Sequence, residues 1–539
     1  MKKNLKGNIL LSLSIITLAA FAVTGCGSKS TDTTATTAVP ETTSTETVAA
    51  DTTTSESTEV TTEVATIPTG GDFTYGLATE IDNFDPFDSL TADTRKILFN
   101  IFEGLVKPTT DGGFIPAVAE SYTISDDALT YTFILRDGIK FQNGADVTTD
   151  DVLYSIQKAI DASISGYDNI AKFEATDDKT IVITLTNADT DFLPYLTTAI
   201  VPKDYADQKT APIGTGPFAF DSYESQQYIT LKKNEYYWQE GSPYLDTVTF
   251  KFAADSTALL LELQAGGVDA IGIDNAGSKQ VHTSLYNIVE QHSNAVQLLA
   301  LNNASGPFKD EKVRQALSYA IDPQEIIDII NDGIGTRVGS GLIPGLTKYY
   351  DASLVDTYNV DLDKAKSLLA DAGYPDGFEF TITVPSVYQV HVDTAQVIVN
   401  QLAKIGVTAN IELVDWSTWL TNVYTNRDYE ATIISLDGAN VSPKSFLSRY
   451  ESTADNNFVN FSNSDYDTVY QEAVAETDET KRIELYKQAQ KLLADNAASV
   501  YIQDISNLVT ISKKFDGLVE YPLYVFDAST IHLAATPAE

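Results

Sequence analysis

The chain has 539 residues, and its 35 Lys and Arg against 75 Asp and Glu give a formal net charge of −40. This charge repels polyanions, which excludes nucleic acid and anionic lipid head groups as partners. A single cysteine, Cys26, excludes a disulfide within the folded part, so stability must come from an apolar core. The length exceeds that of one core and predicts two or three lobes.

Residues 1–25 have the order of a secretory signal, with a basic start and an apolar run over residues 9–23. The run is too short for a membrane span of about 20 residues. Val23-Thr24-Gly25-Cys26 resembles a bacterial lipobox, in which the cysteine receives a diacylglycerol and becomes the new amino terminus. We therefore predict a lipid anchor at Cys26. The alternative is cleavage by an ordinary signal peptidase, which leaves a free thiol.

Residues 26–70 consist of the anchor cysteine and a stretch rich in Thr, Ser and Glu, with almost no large apolar side chain before Ile67. Such a stretch buries too little surface to offset its ordering entropy. We predict a disordered tether.

After the tether, patterns typical of strands and helices alternate. Residues 131–135 and 180–185 are β-branched and aromatic runs, which predict strands. Between them, Thr148 and Asp151 have capping-box spacing and open an amphipathic helix. Asp322-Pro323 supplies the cap and first residue of another helix.

Residues 378–414 predict a βαβ unit. A strand over residues 379–384 is followed by a helical pattern, by Gly406 at the helix end, and by a second strand over residues 408–414. This part of the chain should therefore contain a parallel or mixed sheet covered by helices.

Patterns that indicate catalysis or a cofactor are missing from the sequence. The four histidines are dispersed, without HExxH spacing, and there is no Walker loop, dinucleotide fingerprint or GxSxG elbow. We predict no enzyme, no metal site and no cofactor.

Several segments, in order, resemble the family 5 extracellular solute-binding proteins of ABC transporters, which include oligopeptide-, dipeptide- and nickel-binding lipoproteins. These segments are NFDP (83–86) with IFEGLV (101–106), FILRDGIKFQNGADVTTDDV (133–152), GTGPF (214–218), VRQALSYAID (313–322) and AGYPDGF (372–378). Most of them should be structural: we expect Gly144 in a turn with positive φ, and Arg314 in a surface or inter-strand position.

The resemblance implies an α/β fold of the large periplasmic-binding-protein type, with two lobes, a hinge and a cleft between the lobes. Lobe I would take residues 71–300, with an inserted subdomain at about 91–200, and lobe II residues 301–498. Residues 499–539 would return to complete lobe I.

The resemblance also implies site residues. Asp437 matches the aspartate that meets the α-ammonium group of a peptide ligand, and Ile434, Ser435 and Leu436 form the strand that pairs with the peptide backbone. Trp416 matches an aromatic that lines a side-chain pocket, with helix-start packing as its alternative. Trp419 should lie in the core.

The sequence thus predicts a monomeric, lipid-anchored receptor that captures a short peptide and delivers it to an ABC permease. It would act at the outer face of the cell membrane, either extracellular or periplasmic. Two alternatives stay open: a receptor of the same fold for an oligosaccharide or metal chelate, and a surface adhesion or signalling receptor.

Overall fold

The structure is a computed structural model that describes residues 67–81, 83–88, 91–438, 442–523 and 525–535. The signal, Cys26 and nearly all of the tether lie outside the described residues, so the predictions made for them stay predictions. Among the described residues, no helix is long and apolar enough to cross a membrane.

The strands, in chain order, are β1 (Asp72–Leu77), β2 (Val106–Pro108), β3 (Phe114–Pro116), β4 (Ala119–Ile124), β5 (Thr130–Leu135), β6 (Ile170–Ala175), β7 (Thr180–Leu185), β8 (Phe218–Glu224), β9 (Tyr228–Lys233), β10 (Thr247–Phe252), β11 (Ala270–Ile273), β12 (Tyr286–Leu301), β13 (Thr336–Arg337), β14 (Glu379–Pro385), β15 (Thr408–Val414), β16 (Ala431–Asp437), β17 (Val500–Ser512), β18 (Phe515–Asp516) and β19 (His532–Leu533).

The α-helices are α1 (Ala92–Leu98), α2 (Thr149–Asp161), α3 (Ser256–Ala265), α4 (Asn275–Ser278), α5 (Glu311–Ala320), α6 (Pro323–Asn331), α7 (Leu362–Asp371), α8 (Gln389–Ala403), α9 (Trp416–Thr418), α10 (Pro443–Leu447), α11 (Ser464–Ala475) and α12 (Glu479–Asp495). A π-helical turn, Trp419–Thr425, continues α9.

One large sheet runs through the described chain, in the order β15-β14-β16-β12-β17-β11-β1-β10-β9-β8, with β13 added to β17. Its two long central strands, β12 and β17, are antiparallel, and their pairing extends from Tyr286↔Ser512 to Leu299↔Val500. The register of β12 shifts between His292 and Val296. A β-bulge of this kind bends the strands midway along their length.

Two bodies with separate cores lie on either side of this register shift. The first lobe includes β1 and β8–β11, and its main core takes residues from 73–270 together with residues from 509–531. The small antiparallel sheet β4-β5-β7-β6 belongs to it. The second lobe includes β14–β16, and its two cores take residues from 296–502. The precise domain limits given above stay predictions.

The local elements agree with their sequence patterns. The capping box of α2 is formed by Thr148 and Asp151, and Asp322 caps α6 with Pro323 in its first turn. In the predicted βαβ unit, β14 and β15 are parallel and are connected by α8. Gly406 and Gly144 have φ of +81° and +84°, as expected for turns that favour glycine.

The expectation for Arg314 was wrong. This side chain is only 6 % exposed, and its guanidinium donates to the carbonyls of Phe308, Asn496 and Ala497. Arg314 therefore connects the start of α5 to the turn after α12. Its guanidinium supplies the hydrogen-bond donors that these three carbonyl groups need.

Candidate functional site

The carboxyl ends of three neighbouring strands meet at one edge of the second lobe. β14 and β15 pair in parallel up to Pro385↔Val414, and β16 starts parallel to β14 and continues to Asp437. In open α/β sheets, ligands bind outside the carboxyl ends of the strands. We call this edge, formed at Pro385, Val414 and Asp437, the Asp437 edge.

Asp437 is the last residue of β16, and its side chain is exposed. Its carbonyl oxygen accepts a hydrogen bond of 2.8 Å from the Arg449 Nη2 atom, which fixes the backbone at this point. The carboxylate has no hydrogen bond or ion pair with any other described residue. It is therefore held in position by its backbone while both of its oxygens can accept hydrogen bonds from a ligand.

The strand that leads to Asp437 is paired fully on one side only. Residues 431–437 pair with β12, from Ala431↔Leu301 to Asp437↔Ala295. The ladder to β14, on the other side, stops at Thr432. Within the described part of the chain, the outer edge of β16 therefore has no strand partner beyond that residue, and it can accept an extended ligand by β-augmentation.

The side chains of the same strand point in two directions. Ile434 and Leu436 are 5 % and 8 % exposed and belong to a core of the second lobe. Ser435 lies on the opposite face, and its Oγ atom is buried with no hydrogen-bond partner among the described residues. A ligand beside β16 would thus meet the backbone of Ile434 and Leu436 rather than their side chains.

The side chain of Trp416 is partly exposed and stacks on a second aromatic ring. Its side chain is 38 % exposed, and its ring lies 5.1 Å from that of Trp419 at an interplanar angle of 5°. Trp419 is in the core, as predicted: it is 2 % exposed, and its Nε1 atom donates to Thr432 Oγ1 at 2.9 Å. The ring of Tyr388 meets Trp416 edge-on at 5.5 Å.

A group of buried polar side chains, joined by hydrogen bonds, lies close to the Asp437 edge. Gln297 donates through Nε2 to His391 Nδ1 at 3.0 Å and to Thr394 Oγ1 at 3.0 Å, while its Oε1 atom accepts from Gln503 at 2.8 Å. Burial lowers the pKa of His391 to about 4. The imidazole is thus neutral at pH 7 and serves packing, since it accepts through Nδ1.

Three titratable residues lie close together at the register shift of β12: His292 on β12, Asp504 on β17, and Glu520. The Asp504 carboxylate accepts from Ser293 N at 3.0 Å and from Ser293 Oγ at 2.8 Å, and His292 Nδ1 lies 3.7 Å from its second oxygen. The His292 N–H donates to Glu520. Burial raises the pKa of Asp504. No pattern in the sequence brings these residues together, because the register of β12 on β17 is set over about 200 residues of chain.

A loop of the first lobe, residues 189–191, contacts the second lobe directly. Asp189 forms an ion pair with Lys444, Thr190 Oγ1 donates to the carbonyl of Val474 at 2.8 Å, and the Tyr486 hydroxyl donates to Asp191. The lobes are therefore joined by this loop as well as by β12 and β17.

The family model for bacterial extracellular solute-binding proteins, family 5, matches residues 113–458. The chain belongs to this family. Members of the family are extracellular or periplasmic solute-binding proteins. The match to a solved structure of such a protein confirms the two-lobed α/β fold class that the motifs implied.

Relatives agree with this assignment. The chain is 32 % identical to heme-binding protein A of Haemophilus influenzae over 82 % of this chain and 87 % of that protein. It is 28 % identical to the dipeptide-binding protein of Escherichia coli over 76 % of this chain and 84 % of that protein. The solved ABC transporter substrate-binding protein CtaP of Listeria monocytogenes matches with a TM-score of 0.74 and 28 % identity, over 86 % of this chain and 99 % of that one.

These family members are named as binding proteins. Within the residues that the structure describes, no group of three or more His, Cys, Asp or Glu side chains is placed to hold a metal ion. The roles of Asp437, Trp416 and residues 434–436 stay predictions, which the following proposal develops.

Proposed function

We propose that this protein captures a short peptide between its lobes and delivers it to an ABC permease, without catalysing a reaction. The observation that carries the proposal is the exposed Asp437 carboxylate, which has no partner among the described residues, at the end of a strand with an open outer edge. A carboxylate binds a primary ammonium group through charge-assisted hydrogen bonds, and the open strand edge pairs with peptide backbone of any sequence. The similarity to a dipeptide-binding protein supports the same ligand class.

The role of Asp437 is tested by calorimetry on Asp437→Asn with a short peptide that has a free amino terminus. We expect affinity to fall roughly 10- to 100-fold, since a hydrogen bond to a charged group contributes about 1.5–3 kcal/mol. Asp363→Asn is the matched control, because Asp363 is another exposed aspartate, in the first turn of α7. If the two variants bind the peptide with equal affinity, Asp437 does not contact the ligand.

A second candidate is a metal chelate as the captured solute, which the similarity to heme-binding protein A favours. Native mass spectrometry of the purified protein separates the two candidates, because an enclosed ligand that survives purification adds its own mass. Peptide masses support the first proposal, and the mass of a heme or another chelate replaces it with the second.

Attachment to the membrane through a lipid on Cys26 completes the proposal, because a receptor that feeds a permease must stay near it. The support is the lipobox-like Val23-Thr24-Gly25-Cys26 after an apolar run. Cys26→Ala should release the protein from the cell, while the control Ser28→Ala should leave it cell-bound. Membrane retention of Cys26→Ala in fractionated cells would contradict the anchor.

A further inference from the structure

The paired strands β12 and β17 run from the core of the first lobe into that of the second. Val289 of β12 and Val509 of β17 are partners in the ladder, and both pack in the first-lobe core. Farther along the same strands, Val296 and Tyr501 belong to a core of the second lobe. The register shift between His292 and Val296 lies between these two sets of residues. A change in the angle between the lobes therefore deforms the strands near this shift.

Two carboxylates hold the shifted part of β12 by its backbone. The Glu520 carboxylate accepts a hydrogen bond from the N–H of His292. The Asp504 carboxylate accepts from the next N–H along the chain, that of Ser293, at 3.0 Å, and from the Ser293 hydroxyl at 2.8 Å. A register shift interrupts the ladder of backbone hydrogen bonds. Side-chain carboxylates thus bind two N–H groups at the interruption.

The facing atoms of His292 and Asp504 lack hydrogen bonds. Asp504 is fully buried, and its Oδ2 atom has no hydrogen-bond partner within the described residues. The Nδ1 atom of His292 is also buried and without a partner there. The two atoms lie 3.7 Å apart, which is too far for a hydrogen bond. Buried polar atoms without partners are rare in folded proteins, because each one costs free energy.

One added proton supplies the missing bond. On either atom, it allows a hydrogen bond between the two strands once the atoms approach to about 2.8 Å. Burial raises the pKa of Asp504 to about 6, against about 3.9 in an unfolded chain. The folded protein therefore binds a proton as the pH falls through about 6, before the unfolded chain does. This proton stabilises the folded state in mildly acidic solution.

The other ionisable groups around the pair do not replace His292. Arg337, on β13, donates to the carbonyl of Val355 and lies 3.9 Å from the Asp356 carboxylate. Burial raises the pKa of the Tyr350 hydroxyl to about 12, so it stays neutral. Among the described residues, His292 is the only ion-pair partner of Asp504. The remaining groups are Glu520 and Glu290 beside β12 and, across an adjoining cavity of about 380 Å³, Tyr75, Lys96, Asp274 and Tyr521.

We propose that His292 and Asp504 form a one-proton switch at the register shift, which stiffens the connection between the lobes when the proton is bound. In mildly acidic solution the shared proton links β12 to β17, and the lobes open less freely. In neutral solution the bond is absent and the strands bend more easily. The switch needs no ligand and is independent of the proposed peptide function.

Hydrogen–deuterium exchange of the ligand-free protein tests the switch. Mass spectrometry follows a peptide that covers residues 286–301 at pH 5 and at pH 7.5, and each rate is divided by the intrinsic exchange rate at that pH. For the wild type, we expect protection to be about fivefold greater at pH 5, the effect of one ordinary hydrogen bond on an opening equilibrium.

Two variants should fix the switch in opposite states. Asp504→Asn imitates the protonated carboxyl, because the amide keeps an acceptor for Ser293 and gains an N–H for His292 Nδ1. We expect high protection at both pH values. His292→Leu removes the partner, and we expect low protection at both. The matched control is His282→Leu, at an exposed histidine outside the pair, which should keep the pH dependence of the wild type.

Equal protection of the wild type at the two pH values would overturn the switch. A pH dependence that persists in either His292→Leu or Asp504→Asn would also overturn it, because another group would then be responsible. If Asp504→Asn does not fold, His292→Leu and its control decide, since the His292 side chain is 28 % exposed. The measurement uses no peptide, so its failure is distinct from a failure of the proposed function.

Discussion

Two tryptophans three positions apart have different environments at the Asp437 edge. Trp419 is buried and hydrogen-bonded to Thr432, whereas Trp416 stacks on it and keeps 38 % of its side chain exposed. Trp419→Ala should therefore lower the free energy of unfolding by about 3–5 kcal/mol, as is usual for a core aromatic.

Trp416→Ala should lower that free energy by only about 1 kcal/mol, the usual contribution of an aromatic pair, and should weaken ligand binding. Urea unfolding and calorimetry on both variants separate stability from binding. A loss of stability as large as that of Trp419→Ala would mean that Trp416 serves packing alone.

Because His391 is buried, we expect the free energy of unfolding to fall at acid pH. Its pKa is about 4 in the folded protein because burial disfavours the charged ring, against about 6.5 when unfolded. The unfolded chain therefore binds a proton first, so this stabilisation is complete above pH 6.5 and is lost as the pH falls towards 4. The loss should amount to about 3 kcal/mol, at about 1.4 kcal/mol per pKa unit.

His391→Asn isolates this effect, because asparagine keeps an acceptor near Nδ1 and does not titrate, and all other groups are shared with the wild type. We expect the wild type to lose about 3 kcal/mol more stability than the variant between pH 7 and pH 4. Parallel pH profiles of the two proteins in urea unfolding would contradict a buried neutral histidine.

Among single residues, the sequence predicted what depends on local pattern: the core position of Trp419, three positions after Trp416, and the turn at Gly144. It was wrong about Arg314, because the carbonyls that this side chain meets at Asn496 and Ala497 are about 180 residues away along the chain. The assignment of Asp437 to the ligand site rests on the order of family motifs and stays a prediction. The lack of a partner for its carboxylate follows only from the fold.

At the scale of elements, the βαβ unit of the second lobe depends on a close contact between two turns. A Cβ atom at Gly377 would lie 1.9 Å from the carbonyl oxygen of Gly406, and Gly377 has φ of +79°. Gly373 has φ of +92°, but a Cβ atom there would meet nothing within 4 Å. Alanine substitutions at the two glycines therefore distinguish the cost of backbone strain from the cost of steric contact.

Gly373→Ala should lower the free energy of unfolding by about 1–2 kcal/mol, because a side chain is strained in the left-handed region. Gly377→Ala should cost clearly more, because the turn at Gly406 must also move. Both are measured by urea unfolding followed by circular dichroism. Equal costs would show that the two turns do not pack as closely as described.

The βαβ unit was predictable because strand, helix and strand follow one another along the chain, with a glycine at the helix end. The pairing of β12 with β17 was not, since it joins segments about 200 residues apart and no local pattern sets its register or its bulge. The open outer edge of β16 depends in turn on where β14 stops pairing, which is again a property of the assembled sheet.

For the whole molecule, the contacts of residues 189–191 should set how the small sheet of the first lobe sits against the second lobe. Asp189 is nearly inaccessible, and Lys444 is its cationic partner from the second lobe. Lys444→Met leaves that carboxylate buried without a cation. We expect a loss of about 3 kcal/mol, at the lower end for a buried pair, since the Lys444 side chain is 30 % exposed.

The double variant Lys444→Met/Asp189→Asn removes both charges and should recover much of this stability, which a double-mutant cycle in urea unfolding measures. Additive losses would mean that the two residues do not act as a pair. No local signal in the sequence indicated this contact, because it joins residues 255 positions apart.

Recognition of the free amino terminus of a peptide by Asp437 is the step on which the proposed function depends. Its most direct test is calorimetry of the wild-type protein with one short peptide, first with a free amino terminus and then acetylated. We expect acetylation to weaken binding at least about tenfold, because the ammonium that meets the carboxylate is replaced by a neutral amide. Equal affinity for the two forms would contradict it.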